Sequence, residues 1–373
     1  RLKSAIERMN KGISEVEVEK VIKKALRAES PNLITNNQAF HKMLADGVDV
    51  DYRRADGVTS GKKVWLIDFD HPNKNEFLVV NQFTVEEEKN NRRPDIVIFV
   101  NGIPLSVIEL KNPADPDASI QTAYKQFETY KVQIPSFFNY NQILVISDGS
   151  EARAGTISSD WSRFLPWKTI DGKEKALDIE PQIEILLKGM FKKEILLDLI
   201  KNFIVYEREE DQKTKSVTVT KKIAAYHQYH AVNKAIDATL RATGFYLNIQ
   251  KRGQPLKGQS HFLIGDKRAG VIWHTQGSGK SLIMAFYTGK LVTVLNNPTI
   301  VLLTDRNDLD DQLFDTFCRC QQILRQSPVQ AESRDKLKKY LKVSSGGIVF
   351  TTIQKFFPED KNEKYEMLSD RRN

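Results

Sequence analysis

The chain has 373 residues, enough for two or three domains with real cores, and its composition is that of an ordinary soluble globular protein. No run of about 18 apolar residues occurs, which excludes a membrane-spanning helix. No secretory signal opens the sequence, and it begins on Arg1 rather than Met, as a trimmed N-terminus would. The formal charge of +8, with a pI near 9.1, suits a polyanionic partner such as nucleic acid without requiring one.

Residues 1–45 have apolar positions three and four apart and predict helices. Four strand candidates follow: KVWLIDFD (63–70), EFLVVNQFTVE (76–86), PDIVIFVN (94–101) and PLSVIELK (104–111). SIQTAYKQFETYKVQI (119–134) is helical, QILVISDG (142–149) is a strand ending in a turn, and 180–207 reads as two helices. These elements predict a first domain over 1–205, a mixed sheet with flanking helices. YEREEDQKTKSVTVTKK (206–222) is polar and highly charged, and predicts a linker spanning roughly 206–225.

From 226 the pattern alternates. AAYHQYHAVNKAIDATLRA is helical, AGVIWHT (269–275) reads as a buried strand, and KSLIMAFYTGKLVTVL as a helix. TIVLLTD (299–305) and GGIVFTTI (346–353) are strands, with helices at DQLFDTFCRCQQIL and DKLKKYLKV between them. This β-α-β-α-β order predicts a parallel sheet flanked by helices in a second domain, 226–373. Cys318 and Cys320 stand at i and i+2, which point apart on a helix, so reduced thiols are expected rather than a disulfide or zinc site. His227 and His230 lack a nearby third ligand in sequence, so no metal site is expected there.

HTQGSGKS, His274 to Ser281, falls between the predicted strand and helix, the context a phosphate-binding loop needs. Gly277 and Gly279, flanking Ser278, let the backbone wrap a phosphate. Lys280 would reach the β- and γ-phosphates of ATP, and Ser281 would ligate Mg²⁺. His274 stands where the usual pattern begins with glycine. About fifty residues upstream, the amide of Gln228 in YHQYHAV has the donor and acceptor an adenine edge requires. Asp305 and Arg306 in TDRNDLDDQL, and Thr351, Thr352 and Gln354 in TTIQKF, follow strands, where such groups are placed to touch a DNA backbone. No apolar strand ending in Asp-Glu follows GGIVFTTI, so the chain is expected to stop before the second carboxylate of the ATPase.

RRPDIVIFVNGIPLSVIELKNP (92–113) carries charges at the ends of apolar strands, where burial is costly unless they are paired, metal-bound or used. Asn101-Gly102 is a strong hairpin signal. A plain two-residue loop puts Asp95 and Glu109 on opposite faces, whereas one extra residue, such as a bulge near Pro104, makes them face each other. Glu109 and Lys111 share a face in any register. With the bulge, Asp95, Glu109 and the Leu110 carbonyl could bind Mg²⁺ while Lys111 holds the attacking water, an arrangement for metal-assisted phosphodiester hydrolysis.

RRPDIVIFVNG, SVIELKNP, the helix with Gln126 and Tyr130, YHQYHAV, WHTQGSGKSL, TDRNDLDDQL, SPVQAESR and TTIQKF occur in that order. Together they resemble the restriction (HsdR, motor) subunit of type I restriction-modification enzymes over nearly the whole chain. The resemblance implies a PD-(D/E)xK nuclease followed by the first part of a RecA-like, superfamily 2 helicase lobe. It makes Asp95, Glu109 and Lys111 the nuclease triad, and Gln126 and Tyr130 its Q-x-x-x-Y element. It makes Gln228 the adenine reader, Gly277 to Ser281 motif I, and the two later strand ends DNA-contacting motifs. It further implies a cytoplasmic complex with methyltransferase and specificity subunits that pulls duplex DNA using ATP and cuts it away from the recognition site. The family's DEAH box, second motor lobe and assembly region have no match here, so an isolated chain of this length is not expected to translocate. A different helicase-nuclease, or a non-catalytic DNA-binding or assembly module with a vestigial triad, are the alternative readings.

Overall fold

The computed structural model describes residues 1–53, 59–114, 119–211, 213–245, 265–357 and 367–369. The chain divides into two compact units, Arg1–Tyr226 and His227–Asn373. No helix among the described residues is long and apolar enough to cross a membrane.

The first unit opens with three helices, α1 (Leu2–Met9), α2 (Glu15–Ala25) and α3 (Leu33–Asp46). Helix α2 starts where Ser14 and Glu17 cap each other's backbone amides, and α3 where the Asn32 side chain accepts from Ile34 and Thr35. Strands β1 (Val48–Arg53) and β2 (Thr59–Val64) pair with each other.

The five-stranded sheet that organises this unit contains β3 (Phe77–Asn81), β6 (Ile96–Val100), β7 (Ile103–Leu110), β8 (Ile143–Ser147) and β9 (Ala152–Gly155), in the order β3-β6-β7-β8-β9. A small hairpin, β4 (Val85–Glu87) with β5 (Asn90–Arg92), precedes β6. The sheet is mixed, since β7 and β8 run parallel while the other pairs are antiparallel. Parallel neighbours need a crossover, which α4 (Ile120–Gln133) and the short α5 (Pro135–Phe138) supply. Ile120, Ala123, Phe127 and Tyr130 of α4 pack on Val97, Val107, Leu144 and Ile146 of the sheet to form the core.

Three segments of this unit depart from the sequence-based expectation. EFLVVNQFTVE, expected as one strand, breaks after Asn81, where Gln82 turns to φ +52°, and Val85–Glu87 pairs in a different sheet. KVWLIDFD is a strand only through Val64. Beyond it, side-chain amides take over the hydrogen bonds that a ladder would make. Asn10 bonds both backbone groups of Trp65, Asn101 donates to the Leu66 carbonyl, and Asn75 bonds both backbone groups of Asp68.

The charged segment 206–222, expected as a linker, forms most of an antiparallel hairpin, β10 (Ile204–Glu210) with β11 (Val217–Ile223), which follows helices α6 (Gln182–Gly189) and α7 (Lys193–Asn202). Its outer half is solvated. At its inner end Tyr206 pairs across the strands with Lys221, and both are buried. Lys221 Nζ, which burial pushes well below the usual lysine pKa range, lies against Asn37 Oδ1 (2.8 Å), the Asn141 carbonyl (2.8 Å) and Gln142 Oε1 (3.1 Å) as acceptors. Sequence pattern cannot distinguish a charge that faces solvent from one that meets three acceptors.

The second unit begins within α8 (Tyr226–Ala242) and continues with α9 (Lys280–Val294), β12 (Ile300–Thr304), α10 (Asn307–Arg319), α11 (Gln321–Leu324), β13 (Pro328–Gln330), α12 (Arg334–Leu341) and β14 (Ile348–Thr352). The three strands form a parallel sheet in the order β12-β14-β13. Residues 269–275, expected as a buried strand, are not one, and Val271 and Trp273 are 94% and 92% exposed. A strand requires a neighbour to complete its ladder, and no strand among the described residues pairs with this segment. Cys318 is exposed, Cys320 is buried, and both are free thiols.

Candidate functional site

The turn between β6 and β7 is Asn101-Gly102, with φ of +52° and +85°, the left-handed pair that a two-residue hairpin loop needs. The Asn101 side chain is buried and fixes this turn. Its Nδ2 donates to Leu66 O (3.0 Å) and Asn75 Oδ1 (2.9 Å), and its Oδ1 accepts from the Glu76 amide (2.9 Å). The register then slips, because Ile98 lies opposite Ser106 while Phe99 lies opposite Pro104, leaving Leu105 as the extra residue. After the slip Ile96 faces Ile108, so the next pair inward is Asp95 with Glu109. Of the two registers the sequence allowed, the bulged one is therefore present, with the extra residue in β7 beside Pro104, which has no N–H for the ladder.

At that end of the sheet four side chains form one connected line. Lys111 Nζ donates to Glu109 Oε1 (3.1 Å) and to Gln126 Oε1, and Gln126 Nε2 donates to the Tyr130 hydroxyl. Gln126 and Tyr130 are four apart on α4 and so share a face. Lys111 is anchored through its amide to Ser147 O (2.8 Å) on β8. The Asp95 carboxylate accepts from the Leu110 amide at Oδ2 (2.8 Å) and from Gln82 Nε2 at Oδ1 (2.7 Å). Leu110, at the end of β7, thus joins the group through its backbone.

Glu109 is 1% exposed, and its Oε2 is buried with no hydrogen-bond partner. Burial, then the charge of Asp95 beside it, raises its pKa to about 7, against the smaller opposing pull of Lys111. Burial first, then the Glu109 charge, also pushes the Tyr130 phenol up. Two adjoining carboxylates, one with an orphaned oxygen, form a donor set that suits a divalent cation, which would relieve both the repulsion and the unmet bond. Gln82 was not singled out by the sequence reading, and it lies in no motif that would have marked it.

The second candidate site is the loop before α9. Gly277 and Gly279 lie at φ +79° and +77°, and Gly279 is the N-cap of α9. A Cβ at Gly279 would come within 2.5 Å of Gln228 Nε2. The positive φ favours glycine there whatever the space, and Gln228 lies against the loop, donating to Ser278 O (3.2 Å) and Gly279 O (3.4 Å). Lys280 Nζ is exposed and donates back to the His274 (3.0 Å) and Thr275 (2.9 Å) carbonyls, weak partners that a phosphate could displace. Ser278 Oγ is buried without a partner, and Ser281 is half-buried in the first turn of α9. The His227 and His274 rings lie 5.4 Å apart. Burial first, then the neighbouring His227 and Lys280, hold the His274 imidazole below its usual range.

The strand-end residues divide by exposure. Asp305, Arg306 and Gln354 are exposed, and Gln354 Nε2 donates to the Asp305 carbonyl (2.9 Å). Thr351 and Thr352 are 0% and 2% exposed, inside β14, so the open surface here is made by the other three. Sequence reasoning passed over Asp310, which is 1% exposed and accepts from Thr304 Oγ1 (3.0 Å) and Gln330 Nε2 (2.8 Å). It stands in a segment with four aspartates, where nothing in the sequence marks the buried one.

Comparison with known proteins agrees with this arrangement of two units. Residues 1–163 match the family described as type I restriction enzyme R protein N terminus, and residues 227–373 match the SWI2/SNF2 ATPase family. Over its full length the chain is 44% identical to the HindI endonuclease subunit of a type I restriction enzyme from Haemophilus influenzae. It is 36% identical, again over its full length, to a protein of Methanocaldococcus jannaschii provisionally named the MjaIXP endonuclease subunit of such an enzyme. A Staphylococcus aureus endonuclease subunit is 25% identical over 76% of the chain. The chain is thus similar to type I restriction endonuclease subunits along its whole length, and its residues 1–163 match the model of their R-protein N termini. It spans about a third of the length of the first two relatives, 34% and 35%.

Proposed function

We propose that this chain is the nuclease and leading motor part of the restriction subunit of a type I restriction-modification enzyme. In this reading ATP-driven translocation of double-stranded DNA is coupled to Mg²⁺-dependent cleavage away from the recognition site. The first unit is read as a PD-(D/E)xK nuclease and the second as a RecA-like, superfamily 2 lobe. The observation that carries the reading is the bulged hairpin, which brings Asp95 opposite Glu109 with a buried, unpartnered carboxylate oxygen. The two-family match along the chain supports it independently.

In this reading Asp95, Glu109 and the Leu110 carbonyl hold Mg²⁺. When bound, the ion supplies charge stabilisation at the scissile phosphate. Lys111 holds and orients the attacking water, and Gln126, itself held by Tyr130, fixes the position of the Lys111 ammonium. Gly277 to Ser281 cradle the ATP phosphates, with Lys280 leaving its two carbonyl partners for them, and Ser281 contributes to the Mg²⁺ that accompanies ATP. Gln228 serves the adenine while its amide lies against the same loop. Asp305, Arg306 and Gln354 contact DNA from the surface, with Thr351 and Thr352 shaping the strand end beneath them. The partners are methyltransferase and specificity subunits in a cytoplasmic complex.

The test uses the complete restriction complex with plasmid substrate. Lys111→Ala is expected to abolish cleavage with ATP turnover unchanged, and cleavage at the parental rate would remove the nuclease assignment. Lys280→Ala is expected to abolish ATP turnover and, with it, cleavage. Turnover retained in that variant would remove the motor assignment.

A further inference from the structure

We infer that Gln82 is a positioning residue for the nuclease site, holding the Asp95 carboxylate in the orientation that binding a divalent cation needs. This rests on the reading of Asp95 and Glu109 as ion ligands.

Strand β3 ends at Asn81, which faces Ile96, so Gln82 is the next residue opposite Asp95. Its amide continues the ladder by donating to the Asp95 carbonyl (2.8 Å). At that point the chain enters the left-handed region, with φ +52° at Gln82, a conformation that costs a non-glycine residue about 1 kcal/mol or more. The side chain then returns to the same neighbour, and Nε2 donates to Asp95 Oδ1 at 2.7 Å. The other oxygen, Oδ2, accepts from the Leu110 amide at 2.8 Å. One donor on each oxygen fixes the plane of the carboxylate and leaves acceptor capacity on both.

The residue type matters as much as the position. An ionised carboxylate only accepts, so the Gln82 amide must present its nitrogen. A neutral donor orients Asp95 without neutralising it. A lysine or arginine there would compete with the cation for the carboxylate. Asp95 precedes the regular part of β6 and lies against the Glu109 carboxyl, so Gln82 and the Leu110 amide are the two N–H donors that set the plane of its carboxylate. Side chains that orient metal ligands typically account for 10- to 100-fold in metal affinity.

The experiment titrates the chain with Mn²⁺, followed by calorimetry, and records thermal unfolding of the same samples. Gln82→Gly keeps the backbone bond and accepts the positive φ, so it is expected to fold at least as well as the parent. It should nevertheless bind Mn²⁺ about tenfold more weakly or worse. Gln82→Ala should lose the same affinity, which ties the loss to the missing amide rather than to backbone strain. In the complete complex both variants should need correspondingly more Mg²⁺ for half-maximal cleavage while approaching the parental rate at saturation. Parental affinity in a folded Gln82→Gly chain overturns the inference. Asp95→Asn separates the two levels. If it loses Mn²⁺ while Gln82→Gly does not, only the role of Gln82 falls. If it binds as the parent does, the ion site itself falls, and this inference with it.

Discussion

Glu109 is where the energetics of the site concentrate. Its carboxyl is buried beside Asp95 and titrates near 7 instead of 4.5. The folded state therefore holds a proton that the unfolded state releases between those values, and stability falls as pH rises through this window. The loss is about 3 kcal/mol for a shift of this size. Thermal unfolding of the metal-free chain should show the melting temperature falling from pH 5 to pH 8, with the fall reduced in Glu109→Gln. Mg²⁺ should raise the melting temperature at pH 8, where the carboxylate is ionised, and have little effect at pH 5. An identical pH slope in Glu109→Gln would mean that another group is responsible.

The two hairpins are held by different means. In the β6–β7 hairpin, Gly102 lies at φ +85° and a Cβ there would meet Arg1 Cβ at 3.0 Å. Gly102→Ala should cost about 1–2 kcal/mol through backbone strain, measured by urea denaturation. Asn101→Ala should cost more, because it strands the buried Leu66 carbonyl and also removes the acceptor of the part-buried Glu76 amide. In the β10–β11 hairpin the fixed point is Lys221. Lys221→Met keeps the volume but removes the bonds from Nζ, leaving the Asn141 carbonyl with Asn37 Nδ2 as its donor. A loss of about 2–3 kcal/mol is expected. Denaturation at the parental midpoint would show that this buried amine contributes nothing net.

At the scale of the whole chain the +8 charge becomes relevant. Binding to duplex DNA of arbitrary sequence should weaken linearly in log–log terms as salt rises, because phosphate contacts release counterions. Arg306→Ala should reduce the steepness by about one unit with no change in sequence preference. Fluorescence anisotropy across a salt series checks this, and a slope near zero would argue against a DNA-binding surface on this chain.

The helices and most strands were legible because hydrophobic period and caps are local properties. The α4 helix, the β6–β7 hairpin and the glycine loop before α9 could all be read from residues adjacent in the chain. The place where a bulge could form was also legible, since Pro104 has no N–H for the ladder, but the sequence left open whether the two carboxylates share a face. What the sequence could not decide depended on distant partners. Residues 65–70 look like a strand, yet asparagines from elsewhere in the chain satisfy their backbone. Lys221 looks solvated until Asn37, Asn141 and Gln142 enclose it. Gln82 and Asp310 belong to no pattern, and only the register of β3 on β6 and the packing around β14 give them neighbours. Periodicity and turn chemistry act over a few residues, so the sequence alone determined most of the elements and placed carboxylates at the ends of β6 and β7. Which charges are buried, and what holds them, was decided by contacts between segments up to 184 residues apart.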